Sequence, residues 1–126
     1  MQIILTPQES EEYFYNALCN GLHYIGGYGL SLTYRKEQYD QAKSKLGSNP
    51  CFEDVLMQIL RDGNTIKFVD DESDGEYNKE ITLKDIHDKV PNVEVRHLMN
   101  MITENDDAET ADVIIQTVLY DEVIFG

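Results

Sequence analysis

The chain has 126 residues, 41% of them apolar, with a formal net charge of −14, which is length enough for one domain with a sizeable core. A field of that sign repels nucleic acid and anionic membranes, and no uninterrupted apolar run nears the roughly 18 residues of a membrane span. The charge is uneven: residues 1–69 hold 8 acids and 6 bases, residues 70–126 hold 16 acids and 4 bases, and nothing after Arg96 is positive.

The opening stretch, Met1 to Pro7, has no basic segment and too short an apolar run for a signal peptide. Thr6-Pro7-Gln8-Glu9 is a capping box with proline at the first helical position, and Glu11 and Glu12 suit the positive end of the helix dipole. Phe14, Ala17, Leu18, Gly21 and Leu22 share one helical face. Gly26-Gly27-Tyr28-Gly29 breaks that helix, and Leu30, Leu32 and Tyr34 then alternate with Ser31 and Thr33 as a half-buried strand over 30–34. Residues 36–46 read as a helix with Tyr39, Ala42 and Leu46 inward, inside the basic stretch of Arg35, Lys36, Lys43 and Lys45.

Gly47-Ser48-Asn49-Pro50 is a turn capping the next helix, whose Phe52, Val55, Leu56, Ile59 and Leu60 follow core-face spacing. Asp62-Gly63-Asn64 ends it and leads to a strand over 65–69. The polar loop Asp70 to Tyr77 links that strand to a hairpin partner over 78–82. Thr82, with Asp85 three residues on, caps a short helix. Pro91-Asn92 starts another, with Val95, Leu98, Met99 and Ile102 on one side. A last helix follows Asp106-Asp107, with Ala111, Ile114, Ile115, Val118 and Leu119 inward, and residues 122–125 read as a closing strand. The expected fold is α+β: several helices packed on a small, mainly antiparallel sheet, in one compact domain over residues 1–126. Exposed edge strands, the C-terminal one above all, can pair two chains into a homodimer.

Candidate chemistry is sparse. Cys19 and Cys51 lack zinc or redox spacing, so two free thiols in a reducing cytoplasm are expected, with a Cys19–Cys51 disulfide the lesser alternative. Cys51 opens a helix, where a thiol pKa can fall, but Glu53 and Asp54 oppose that, and no spacing nominates His23, His87 or His97 as its base. Cys19 and His23, four apart, supply only two ligands of a tetrahedral site. Asp70, Glu72, Asp74 and Glu76 alternate ahead of or around Gly75 as oxygen ligands of a calcium loop would, yet the twelfth position of such a loop is Ile81 and the flanks are strands. The glycine-rich stretch lacks the lysine of a phosphate loop and precedes a strand, but Tyr24, Tyr28 and Tyr34 around it offer amphipathic rings for a ligand or partner patch. No enzyme, and no cofactor beyond that calcium loop, is expected.

Two passages carry a resemblance. Cys51 to Gly63 running into Thr65 to Asp70, and Thr110 to Gln116 running into Asp121 to Gly126, with Ile81 to Asp85 between them, resemble small, acidic, functionally uncharacterised proteins of gut Bacteroidales and their phages or mobile elements. The likeness covers roughly residues 51–126. It implies no activity, cofactor or catalytic position; it implies a mobile-element origin, where small acidic proteins act by binding host proteins.

The function expected from charge is a non-enzymatic interaction protein, a phage or mobile-element inhibitor imitating nucleic acid and docking on the basic, nucleic-acid-binding surface of a host protein. Its acidic face comprises Asp70, Asp71, Glu72, Asp74, Glu76, Glu104, Asp106, Asp107, Glu109 and Asp112. The partner is then protein, with no direct nucleic acid or membrane contact. The alternative is a small-ligand or divalent-metal-binding module.

Overall fold

The computed structural model describes residues 3–126; Met1 and Gln2, part of the opening stretch, lie outside the described residues. Six helices pack on a three-stranded antiparallel sheet of order β1-β2-β3, as the α+β expectation requires. Helix α1 (Pro7–Gly27) is started by the predicted capping box: Thr6 Oγ1 accepts the Glu9 N–H at 3.1 Å and Glu9 Oε1 accepts the Thr6 N–H at 2.9 Å. The helix runs through Gly26 and Gly27 and turns only at Tyr28 and Gly29, where a φ of +86° suits glycine. Strand β1 (Leu30–Thr33) follows, then α2 (Lys36–Ser44) and α3 (Phe52–Arg61), whose start is capped by Asp54 Oδ2 on the Cys51 N–H at 3.3 Å.

Strands β2 (Ile66–Asp70) and β3 (Lys79–Ile81) form the predicted hairpin, and β2 is the centre of the sheet. Leu30 faces Asp70 and Leu32 faces Phe68 across the first pair; Ile66 faces Ile81 across the second. One sheet face is apolar through Ile66, Phe68 and Ile81; the other presents Ser31, Thr33, Lys67 and Glu80 to solvent. Helix α4 (Leu83–Lys89) carries the second capping box, Thr82 with Asp85, and a 3-10 turn (Val90–Asn92) leads to α5 (Val95–Ile102) and α6 (Ala108–Tyr120).

The centre of the core is the contact of α1 with α6. Phe14, Ala17, Leu18 and Ile25 meet Ala111, Ile114, Ile115, Val118 and Leu119, all nearly inaccessible to solvent. The backbones approach closely because Gly21 has no side chain: a Cβ there would lie 3.0 Å from that of Ala111. No helix among the described residues is long and apolar enough to cross a membrane.

Several further expectations are corrected. Residues 122–125 form no strand; the Gln116 amide bonds the backbone there instead, and the edges of the sheet are β1 and β3. The inward face of α5 is His97, Leu98 and Met101, whereas Met99 and Ile102 are 38% and 44% exposed. Pro91 and Asn92 sit in the 3-10 turn, so the helix starts later than expected, at Val95. Tyr34 lies beyond β1, and Phe52, expected in the core, is partly exposed beside Tyr34 and Tyr39.

Candidate functional site

The acidic turn between β2 and β3 is ordered from within. Asp70 Oδ1 accepts the N–H groups of Glu72 at 3.0 Å and Ser73 at 2.8 Å, and Oδ2 accepts that of Tyr77 at 3.2 Å. Asn78 Oδ1 in turn accepts the Asp70 N–H at 2.6 Å. Burial works to raise the Asp70 pKa, but the three backbone donors outweigh it and hold the carboxyl below its ordinary value. Asp74 and Gly75 adopt left-handed backbone conformations at the tip.

This hub turns the remaining acids outward. Asp71, Glu72, Asp74 and Glu76 are all exposed. Asp71 accepts the Ser31 hydroxyl, its N–H donates to the Gly29 carbonyl at 2.9 Å, and the Glu72 side chain lies over Gly29. Among the described residues, none of these four carboxylates has a cation within ion-pair distance; Lys84 pairs with Asp88, Lys89 with Asp121, and Arg96 with Glu94 and Glu109, while Lys79, three residues after Glu76, makes no ion pair.

Beneath the turn lies an aromatic cluster. Phe125 stacks on Tyr28 with ring centroids 5.1 Å apart and meets Tyr77 and Tyr120 edge-on. The Tyr120 hydroxyl donates to the Tyr77 carbonyl at 2.7 Å, and the Tyr28 hydroxyl donates to Asp112 Oδ2 at 2.8 Å. Burial, reinforced by the Asp112 hydrogen bond and charge, pushes the Tyr28 phenol up to about 12; burial, with the charges of Asp70 and Tyr77, does the same for Tyr120.

Two members of the expected acidic face are therefore corrected. Asp70 is 6% exposed and Asp112 8%, and both are committed to internal hydrogen bonds, so neither can meet a partner. Asp107 is the N-cap of α6, accepting the Thr110 N–H at 2.9 Å, and that backbone bond lowers its pKa. Glu104 and Glu109 are exposed and Asp106 half-buried at the α5–α6 link, a separate group from the turn. The turn adjoins the end of α1 through Gly29, and the buried Asp112 does so through Tyr28.

The other candidates disperse. Tyr24 packs on His23, Tyr28 belongs to the Phe125 cluster, and Tyr34 stacks on Tyr39 at 4.7 Å, so the three rings form no common patch. The calcium ligands expected at Asp70, Glu72, Asp74 and Glu76 do not converge, because Asp70 faces the turn's own N–H groups; among the described residues no three His, Cys, Asp or Glu side chains are grouped to hold a metal ion. Cys19 and Cys51 are free and exposed, with Cys51 Sγ 3.5 Å from the Tyr15 hydroxyl. His87 Nε2 bonds Glu11 at 2.8 Å, and His97 is buried against Thr110.

Sequence reasoning missed Gln116, Tyr77, Tyr120 and Phe125, which support the turn. One signal was present: Asp112 and Gln116 are polar residues four apart beside the apolar stripe of the last helix, and polar groups buried there demand internal partners. No family model, no curated protein and no solved structure matches the chain.

Proposed function

We propose that this chain is a non-enzymatic binding protein that docks its β2–β3 turn on a basic, nucleic-acid-binding surface of another protein. The observation that carries the reading is the set of four exposed carboxylates, Asp71, Glu72, Asp74 and Glu76, without a cation partner among the described residues. A flexible acidic loop would lose conformational entropy on docking; one already ordered by Asp70 and seated on aromatic rings loses less. Spaced carboxylates on a preformed turn offer a basic groove what a phosphate backbone offers, and steering by the net charge makes such association fast and salt-sensitive. The likeness to proteins of mobile elements supports a host protein as the target.

The test is capture from host lysate on immobilised protein, in parallel with a variant carrying Asp71→Asn, Glu72→Gln, Asp74→Asn and Glu76→Gln. The expected result is a nucleic-acid-binding protein retained at low salt, displaced by short duplex DNA, and lost on the variant. Partners held equally by both proteins and indifferent to salt and DNA would overturn the reading.

A further inference from the structure

The far end of the sheet has the opposite character. An open cleft of about 490 Å³ lies on the solvent face of the sheet, bordered by Tyr34, Arg35, Gln38, Asn64, Lys67 and Glu80. The strand register explains its floor: Thr33 pairs with Lys67 and Lys67 with Glu80, so the three lie in a row across the exposed face. In a chain with 24 acids and 10 bases, Arg35 and Lys67 both lack an ion-pair partner among the described residues. Lys36 and Lys45, by contrast, are paired with Asp40 and Asp62. Glu80, the one acid in the cleft, accepts the Thr65 hydroxyl at 2.5 Å.

We propose that this cleft binds a mononucleotide: Arg35 and Lys67 hold the phosphate, the Tyr34 ring stacks on the base, and the Gln38 and Asn64 amides meet its polar edge. Four features support that class of ligand. The volume falls within the range of about 300–1,000 Å³ typical of small-molecule sites. Two cations against one carboxylate favour a compact anion. Tyr34 is steadied from one side by Tyr39, at a centroid distance of 4.7 Å, so that stacking a base on it orders little that is mobile. Amide side chains both donate and accept, as a base edge requires.

The chain's overall charge selects against longer ligands. The acidic turn stands at the other end of β2, its Asp71 bonded to Ser31, two residues from Thr33 on the exposed face. Within the cleft itself Arg35 and Lys67 outnumber Glu80, and a small anion seated there meets those two cations directly. A nucleic-acid strand extending beyond it would meet the negative remainder of the surface. None of the carboxylates assigned to docking lines the cleft, so the two sites can be tested separately.

Titration calorimetry with the intact chain tests it, using AMP, GMP, CMP and UMP, with adenosine and inorganic phosphate as fragments. At least one mononucleotide should bind saturably at a 1:1 ratio, about tenfold or more tighter than either fragment. Arg35→Ala and Lys67→Ala should each weaken it about tenfold. Tyr34→Ala should weaken the nucleotide and leave phosphate unchanged, and Lys36→Ala should change nothing. Circular dichroism melts confirm that each variant folds. No saturable binding of any of the four nucleotides, phosphate binding as tight as the nucleotide, or affinity unchanged in both cation variants would overturn the proposal.

Discussion

Gln116 holds Phe125 as a neighbouring strand would: Oε1 accepts the Phe125 N–H at 2.9 Å and Nε2 donates to its carbonyl at 3.2 Å. The same Oε1 accepts the Ile124 N–H, and Nε2 also donates to Asp112, so one buried amide is fully satisfied. Gln116→Leu keeps the bulk but leaves Asp112 and two backbone donors short of partners. The expected cost is about 1–3 kcal/mol in a denaturant melt, with faster amide hydrogen exchange at Ile124 and Phe125. Unchanged exchange there would show that the aromatic contacts alone hold the segment.

Gly21 sets the spacing of α1 and α6. A Cβ at this position would meet Ala111 at 3.0 Å and Ile115 Cδ1 at 3.2 Å, and a branched side chain would have to push the helices apart. Gly21→Val is expected to destabilise the fold by about 1–3 kcal/mol. Gly26→Val, where nothing lies within 4 Å, is the control and should shift stability much less. Chemical denaturation of the two variants makes the comparison.

Glu11 ties three helices together, bonding Arg61 Nε of α3 at 3.0 Å and His87 Nε2 of α4 at 2.8 Å. Burial works to raise its pKa, but the His87 and Arg61 hydrogen bonds and charges prevail and hold it below the ordinary value of 4.5. The folded state thus binds this proton less readily than the unfolded chain does. The resulting stability is fully present above about 4.5 and is lost as pH falls through the lowered folded value. Glu11→Gln should cost about 1–2 kcal/mol at neutral pH and flatten the acid limb of the stability profile. A variant as acid-sensitive as the native chain would locate that limb in other carboxylates.

Asp70 is the keystone of the acidic turn. Asp70→Ala removes the acceptor of the Glu72, Ser73 and Tyr77 N–H groups without touching an exposed carboxylate. Amide exchange at those three positions should quicken, and affinity for the docking partner should fall through slower or less productive association. Asp70→Asn, which retains an acceptor oxygen, should recover part of both effects. Loss of amide protection with binding intact would separate the order of the turn from its function.

Local signals were the legible ones. Thr6 with Glu9 and Thr82 with Asp85 each determine a helix start through bonds spanning three residues, and both capping boxes are present. The spacing of Ala111, Ile114, Ile115, Val118 and Leu119 likewise identifies a core face. What depends on distant residues was not legible. Val123 to Phe125 have strand-like composition, but their backbone partner is a side chain on α6, and no pattern within the segment reveals that. Met99 and Ile102 lie outside because the buried stripe of α5 runs through His97, Leu98 and Met101, and a buried histidine is not something apolar periodicity encodes. Counting acids located the charged turn yet could not distinguish Asp70 and Asp112, which face inward, from Asp71 and Glu72, which face water. The mononucleotide cleft joins Arg35 to Lys67 across the sheet, a proximity that exists only once Thr33 and Lys67 are in register.

The bond from the Tyr28 hydroxyl to Asp112 also gives the molecule an optical signature. The chain has eight tyrosines and no tryptophan, so its intrinsic fluorescence is tyrosine emission alone. A phenol bonded to a carboxylate is quenched, because its excited state surrenders the proton, and release of Tyr28 from Asp112 will brighten the protein. Loosening of the end of α1 can therefore be followed without a label.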